Sequence, residues 1–345
     1  MKKNKIYFLE SDLNLNFENG VVIKQPFKSI DKKWKRKIIY LYYCARMLTL
    51  DKGSFMVVPW GMFWIPAIFY PLKRFRIISL SCDSFISEKV KKNANNSLRG
   101  RIKYEFIKAT SQKVARFAYC SNLVKEQLVN FGIPDKKIAF RYEAQAMDWN
   151  YERFDSLLSA HPDLMSNTFL FVGHFYKTMQ KRLDILLGAY KKLKTKYAGI
   201  RMIVVGADWD YFFNQEKLNE LASQDVIFVG RDYNIKKYIE KSSFYIHPGE
   251  YEAFALSVFE AMTGGLIPIV SNKTGARELV NKIDPRLVVD LTVDDFYNAM
   301  EATIKLTPKD RLELSLRARQ VAAGVDYKKS LGLLKDNLLN LINDL

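Results

Sequence analysis

The sequence predicts an α/β protein with two Rossmann-like domains, each built on a parallel sheet. Short apolar runs alternate with helical segments of about ten to fifteen residues, the pattern of right-handed βαβ units. In the second half these runs end at Gly173, Gly206, Gly230 and Pro248-Gly249, on the edge where an open parallel sheet binds ligands. A chain of 345 residues also has the length for two substantial cores.

The elements follow in order. Ile6–Leu9 passes straight from a short polar start into a strand, with no signal peptide in view. Asp31–Leu50 reads as a helix, basic at its start and rich in Ile38, Ile39, Leu41, Tyr42 and Tyr43 after it. Phe55–Leu72 has 18 residues without a charge, enough to raise the question of a membrane span. Pro59, Gly61, Pro66 and Pro71 argue instead for a strand over Phe55–Val58, a turn and a short core helix. Strands over Arg76–Ser81 and Phe117–Cys120 and a helix over Leu123–Asn130 complete a first domain, residues 1–150. A hinge is expected through Trp149–Asn167.

The second domain, residues 167–325, opens with the β-rich run Thr168–Val172. A polar loop leads to a helix holding Leu183, Leu186, Leu187 and Tyr190. Ile200–Val205, Val226–Val229, Ser243–His247, Ile267–Ser271 and Leu287–Asp290 are further strands, with helical segments near 214–222 and 234–242. From about Ala253 a periodic helix carries Phe254, Val258, Phe259 and Met262. A last helix, residues 327–345, has Leu333, Leu334, Leu338 and Leu341 on one face and is expected to return to the first domain.

Charge is divided unevenly. Residues 1–150 hold 28 Lys and Arg against 12 Asp and Glu, a net of +16 out of +17 for the whole chain. The basic stretches are Lys32–Lys37, Lys73–Arg76 and Lys89–Lys103. Basic residues mixed with Trp and Tyr suit an anionic membrane surface. Nucleic acid would suit the charge as well, but no DNA- or RNA-binding motif accompanies it. Cys44, Cys82 and Cys120 are few, odd in number and without metal spacing, so a reducing cytoplasm is expected.

Two carboxylates bracket the junction before the helix of residues 253–263: Glu252 ahead of it and Glu260 within it. Open N–H groups at a helix start bind anions, phosphate above all. A carboxylate two turns on can accept hydrogen bonds from a ribose diol. At the other helix, Lys181-Arg182 set cations where they oppose the macrodipole, an arrangement that makes sense with an anion between them. These residues point to a nucleotide with its diphosphate on a helix end.

The motif His247-Pro248-Gly249-Glu250-Tyr251-Glu252-Ala253-Phe254-Ala255-Leu256, followed by Glu260-Ala261-Met262, Gly265 and Pro268-Ile269-Val270, resembles the E-x7-E signature of retaining glycosyltransferases of the GT-B fold. It is most similar to glycosyltransferase family four (group 1). Ser271–Glu278 is like that family's second glycine loop. Val172-Gly173-His174-Phe175 with Lys181-Arg182-Leu183-Asp184 looks like its V-G-R-L…K-G-x-D element.

The resemblance implies parallel sheets facing across a cleft, with the donor on the second domain and the acceptor on the first. Glu252 would lie beside the donor sugar and Glu260 would hold the ribose. Gly173, Phe254, Ala255 and Leu256 would line the donor, with the base near Gly230-Arg231. Lys181 would stabilise the leaving diphosphate. His174 stands where the family has Arg, so His174, Lys177 or Arg182 would supply the second cation. Gly20 would belong either to the early glycine loop or to an ordinary turn. Asp83, after Cys82 in place of the family's His, would act as general base or bind the acceptor.

The resemblance therefore implies a retaining, metal-independent glycosyltransferase. It would take a UDP- or GDP-sugar, need no cofactor, and act on a glycan or lipid-linked acceptor of the cell envelope at the cytoplasmic face of a membrane. Asp208-Trp209-Asp210, a D-x-D, is read as a loop and not a metal site. A non-catalytic GT-B scaffold, or a GT-B sugar-nucleotide epimerase, is the alternative.

Overall fold

The computed structural model describes residues 5–9, 20–23, 33–81, 95–144, 151–173, 179–206 and 225–345. Asp83, His174, Lys177, Asp208–Asp210 and the expected helix near 214–222 lie outside them. The described chain forms two compact units, one of Met1–Trp149 with Tyr327–Leu345 and one of Asn150–Asp326. Each holds a six-stranded parallel sheet.

The first sheet contains β1 (Ile6–Leu9), β2 (Gly20–Ile23), β3 (Phe55–Pro59), β4 (Arg76–Ser81), β5 (Val114–Tyr119) and β6 (Ile138–Arg141), in the order β2-β1-β3-β4-β5-β6. β1 is buried along its whole length, as are all but the last residue of β3 and all but the first of β4. That is what an apolar run gives when helices cover both faces of a parallel sheet. The uncharged stretch becomes β3 followed by two short helices, Trp64–Ile68 and Tyr70–Lys73. Among the described residues no helix is long and apolar enough to cross a membrane.

The second sheet contains β7 (Thr168–Val172), β8 (Arg201–Val205), β9 (Val226–Gly230), β10 (Phe244–His247), β11 (Ile267–Ser271) and β12 (Val288–Val289). Its order is β12-β11-β10-β7-β8-β9. The chain starts in the middle at β7, winds outward through β8 and β9, then returns to add β10 on the other side. β7 and β10 thus form the topological switch point, where the flanking loops part and leave a crevice at the carboxyl ends of the strands.

Residues 151–167, expected to be a hinge, belong instead to the second unit. The helix Tyr151–Leu158 packs on the helix Leu256–Thr263, with Phe154 and Phe259 edge to face at 5.2 Å. The strand of chain that follows is fastened by two arginines of the helix Pro308–Ala323. Buried Arg311 donates to the carbonyls of Leu164, Ser166 and Ile304 and to Asn167 Oδ1. Arg319 donates to the carbonyls of Leu158, Ala160, Thr263 and Gly264. Charge-assisted hydrogen bonds contribute roughly 1.5–3 kcal/mol each, so this segment is fastened to the second unit.

Candidate functional site

On the β8 side of the switch point the strand ends meet closely. Gly173 N–H donates to the Val205 carbonyl at 2.9 Å, and Gly206 N–H to the Gly230 carbonyl at 2.8 Å. A Cβ on Gly206 would stand 1.7 Å from the Gly173 carbonyl oxygen, and its φ is +151°. Only glycine fits there. The crevice floor is therefore bare backbone where β7 ends beside β8.

On the other side of the switch, β10 runs into Pro248-Gly249. A Cβ at Gly249 would lie 2.6 Å from both Glu252 Cγ and His247 Nε2, so the turn lets these two side chains close over it. Tyr251 and Ala255 on either side of Glu252 are left-handed, with φ of 62° and 70°. Each costs about 1–2 kcal/mol for a residue with a Cβ. Neighbouring loops hold that strain. Glu250 N–H donates to the Gln180 carbonyl at 2.7 Å, and Gln180 Nε2 donates to the Tyr251 carbonyl at 3.1 Å. Glu252 pairs with the 271–276 loop through Glu252 N–H to Lys273 O and Gly275 N–H to Glu252 O, and Ala276 N–H donates to Phe254 O.

This construction sets Glu252 against Lys181. Lys181 Nζ is 2.6 Å from Glu252 Oε1, and both side chains are mostly buried. The adjacent Arg182 is left-handed at the N-cap of the helix Leu183–Lys194 and reaches Glu250 at 3.4 Å and Asp184 at 2.9 Å. The two cations expected at this helix thus both face acids. His247, fully buried, stacks on Phe171 and lies 3.5 Å from Tyr245 Oη through Nδ1. Its Nε2 is 4.0 Å from Glu252 Oε1 and finds no hydrogen-bond partner among the described residues. Burial first, then the Lys181 charge, hold His247 well below the usual histidine pKa, so it is neutral.

The helix after the motif starts at Leu256, three residues later than expected, because left-handed Ala255 ends the loop. No side chain caps it, and its first turn is half-buried. Tyr245 Oη donates to Ser257 Oγ at 2.8 Å and so fixes that turn to β10. Glu260, one turn in, is buried and bound by Arg153 Nε at 2.5 Å.

Glu252, Lys181, Arg182, Gly173 and the Ala255–Leu256 backbone therefore converge on the switch point. Glu260 lies deeper along the same helix. Phe254 is a core side chain, 4% exposed, so only its backbone is near the junction. Gly230 ends β9, and Arg231 after it is exposed. Gly20 is in neither a loop nor a turn: it is the first residue of edge strand β2, paired with Ile6 at the amino end of its sheet. Arg153 had no sequence signal, since only the packing of two helices far apart in sequence brings it to Glu260. His247 was visible as a strand end, but its contact with Glu252 depends on the turn at Gly249. Among the described residues no group of three or more His, Cys, Asp or Glu could hold a metal ion.

Residues 159–321 match the family model for glycosyl transferases group 1. An uncharacterized glycosyltransferase of Haemophilus influenzae is 28% identical over 173 residues, covering 48% of this chain and 47% of that protein. A GDP-Man:Man(3)GlcNAc(2)-PP-Dol alpha-1,2-mannosyltransferase of Xenopus tropicalis is 25% identical over 182 residues, covering 49% and 37%. The chain thus spans about half or less of the curated relatives it matches. Among solved structures, Anabaena HepE in complex with UDP-glucose superposes with a TM-score of 0.69 at 13% identity, over 98% of this chain and 100% of that one. Sucrose-phosphate synthase of Thermosynechococcus elongatus gives 0.71 at 13% identity, over 99% and 100%. Two parallel six-stranded α/β sheets with these neighbours make the fold GT-B, and residues 159–321 of the second unit are similar to the glycosyl transferases group 1 family.

Proposed function

We propose that the protein is a retaining glycosyltransferase that moves a sugar from a UDP- or GDP-sugar to a hydroxyl of a glycan or lipid-linked acceptor in cell-envelope synthesis. The observation that carries this is the Lys181–Glu252 pair at the switch point, beside a helix start with no side-chain cap and ahead of buried Glu260. The diphosphate sits on the backbone of Ala255 and Leu256, with Gly173 opposite and Arg231 toward the base. Glu260 takes the ribose hydroxyls.

As the anomeric C–O bond breaks, negative charge grows on the leaving diphosphate. Lys181 leaves Glu252 and stabilises it, with Arg182 or His174 as the second donor, an electrostatic contribution of about 3–4 kcal/mol per well-placed group. Glu252, freed, faces the sugar. The acceptor oxygen attacks on the same face as the departing phosphate, and its proton passes to a phosphate oxygen. Asp83 orients the acceptor. No metal, cofactor or nucleic acid takes part. The cationic first half meets an anionic membrane at its cytoplasmic face, where a lipid-linked acceptor would lie.

The test is calorimetric binding of UDP-, GDP- and ADP-sugars with EDTA present, with Glu260→Ala alongside. One nucleotide class should bind, and Glu260→Ala should weaken it at least about tenfold. If no nucleotide sugar binds the native chain, the transferase reading fails.

A further inference from the structure

The first unit carries apolar residues that stay exposed on the outside of two helices. In the helix Lys33–Thr49, Ile39, Tyr43 and Met47 are buried. At about 100° per residue, Ile38, Leu41, Ala45 and Leu48 fall on the opposite side, and all four are exposed, Leu41 by 69%. The helix Leu98–Ser111 repeats the arrangement. Gly100, Ile107 and Ser111 face inward, while Leu98, Ile102 and Phe106 form an outer stripe with Ile102 63% exposed. A helix needs one apolar face to pack, and each of these has two.

The short helix Trp64–Ile68 lies against both. Trp64 lies between the two helices, 5.5 Å from the ring of Tyr40 on the flank of the first and 6.0 Å from the ring of Phe106 in the stripe of the second. Ile68, 45% exposed, and Leu72, 68% exposed, extend the patch along the same segment. The charge beside it is almost all of one sign. The helix Lys33–Thr49 contains no acid, and the helix Leu98–Ser111 has Arg99, Arg101, Lys103 and Lys108 against Glu105 alone.

We infer that this face, built from the outer stripes of the helices Lys33–Thr49 and Leu98–Ser111 around Trp64, is the surface that enters an anionic lipid interface. It rests on the membrane reading of the first half and gives that reading a place and an orientation. Exposed aliphatic side chains reach the acyl boundary, the Trp and Tyr rings sit at headgroup level, and flanking Arg and Lys pair with lipid phosphates. A protein partner would bury the apolar stripes equally well, but a cationic rim with almost no acids matches a uniformly anionic plane.

Co-sedimentation with phosphatidylglycerol–phosphatidylcholine vesicles, and with phosphatidylcholine alone, tests this. The native chain should bind the anionic vesicles, bind neutral ones far less, and lose affinity as salt rises. Leu41→Glu and Ile102→Glu, both at exposed positions, should each weaken binding about tenfold. Leu316→Glu, exposed in the second unit, should not. Unchanged melting temperatures and unchanged calorimetric binding of the nucleotide sugar keep this result separate from the donor site. Native binding with both variants equal to native would overturn the assigned face. No binding to anionic vesicles would overturn the membrane reading with it. A native dimer dispersed by Leu41→Glu, seen by light scattering without vesicle binding, would assign the face to a second copy instead.

Discussion

Lys181 carries one charge and has two uses for it. It lies 2.6 Å from Glu252, which keeps a mostly buried carboxylate from being left uncompensated; in the proposed reaction it turns to the leaving diphosphate. Lys181→Ala should therefore lower kcat about 10²–10³-fold in a donor-hydrolysis or transfer assay, with Lys181→Arg keeping more activity. His247 sets a different constraint. Its folded pKa lies below the ordinary value of about 6.5 because burial and Lys181 disfavour its charge. The unfolded chain then binds the extra proton, so stability is full above that value and is lost as pH falls below it. The unfolding free energy from denaturant titrations should fall between about pH 7 and pH 5 at up to about 1.4 kcal/mol per pH unit, and His247→Gln should flatten that slope. A slope unchanged in His247→Gln would place the titrating group elsewhere.

The helix Tyr151–Leu158 separates stability from binding within two consecutive residues. Phe154 is fully buried against Phe259, whereas Arg153 pairs with Glu260 at the level of the proposed ribose. Phe154→Ala should cost about 3–5 kcal/mol in unfolding free energy and leave donor affinity in the folded fraction near native. Arg153→Ala should instead weaken nucleotide-sugar binding about five- to tenfold, read by calorimetry. The same helix marks what the sequence could and could not disclose. Strands β1, β4 and β11 were legible to the residue because each is a short, largely apolar run. The motif from His247 to Glu260 was legible because its chemistry is local. Arg153 was not, because its partner is set by helix packing, and neither were the arginine fastenings at Arg311 and Arg319, which replaced the expected hinge. The late helix start at Leu256 was hidden too. Periodicity already holds at Phe254, and only the left-handed Ala255 stops the helix from reaching it.

At the scale of the molecule, the net charge and the proposed donor chemistry fall in different units. Almost all of the net +17 comes from residues 1–150, while the group 1 domain match lies at 159–321. Each unit has its own sheet and core, so each is expected to melt as its own cooperative step. The two steps should answer to different agents. Like charges crowded on the first unit repel, and added salt screens them over a Debye length that shrinks to about 3 Å at 1 M; its transition should rise with sodium chloride. A nucleotide sugar bound as proposed to the folded second unit should raise that transition by about 2.7 kcal/mol of stability at a hundred times its Kd. Scanning calorimetry in low and high salt, with and without the donor nucleotide, would separate the two. If salt and nucleotide instead raised one common transition together, the units would unfold as a single cooperative body, and the division of labour between a cationic half and a donor-binding half would not extend to their stabilities.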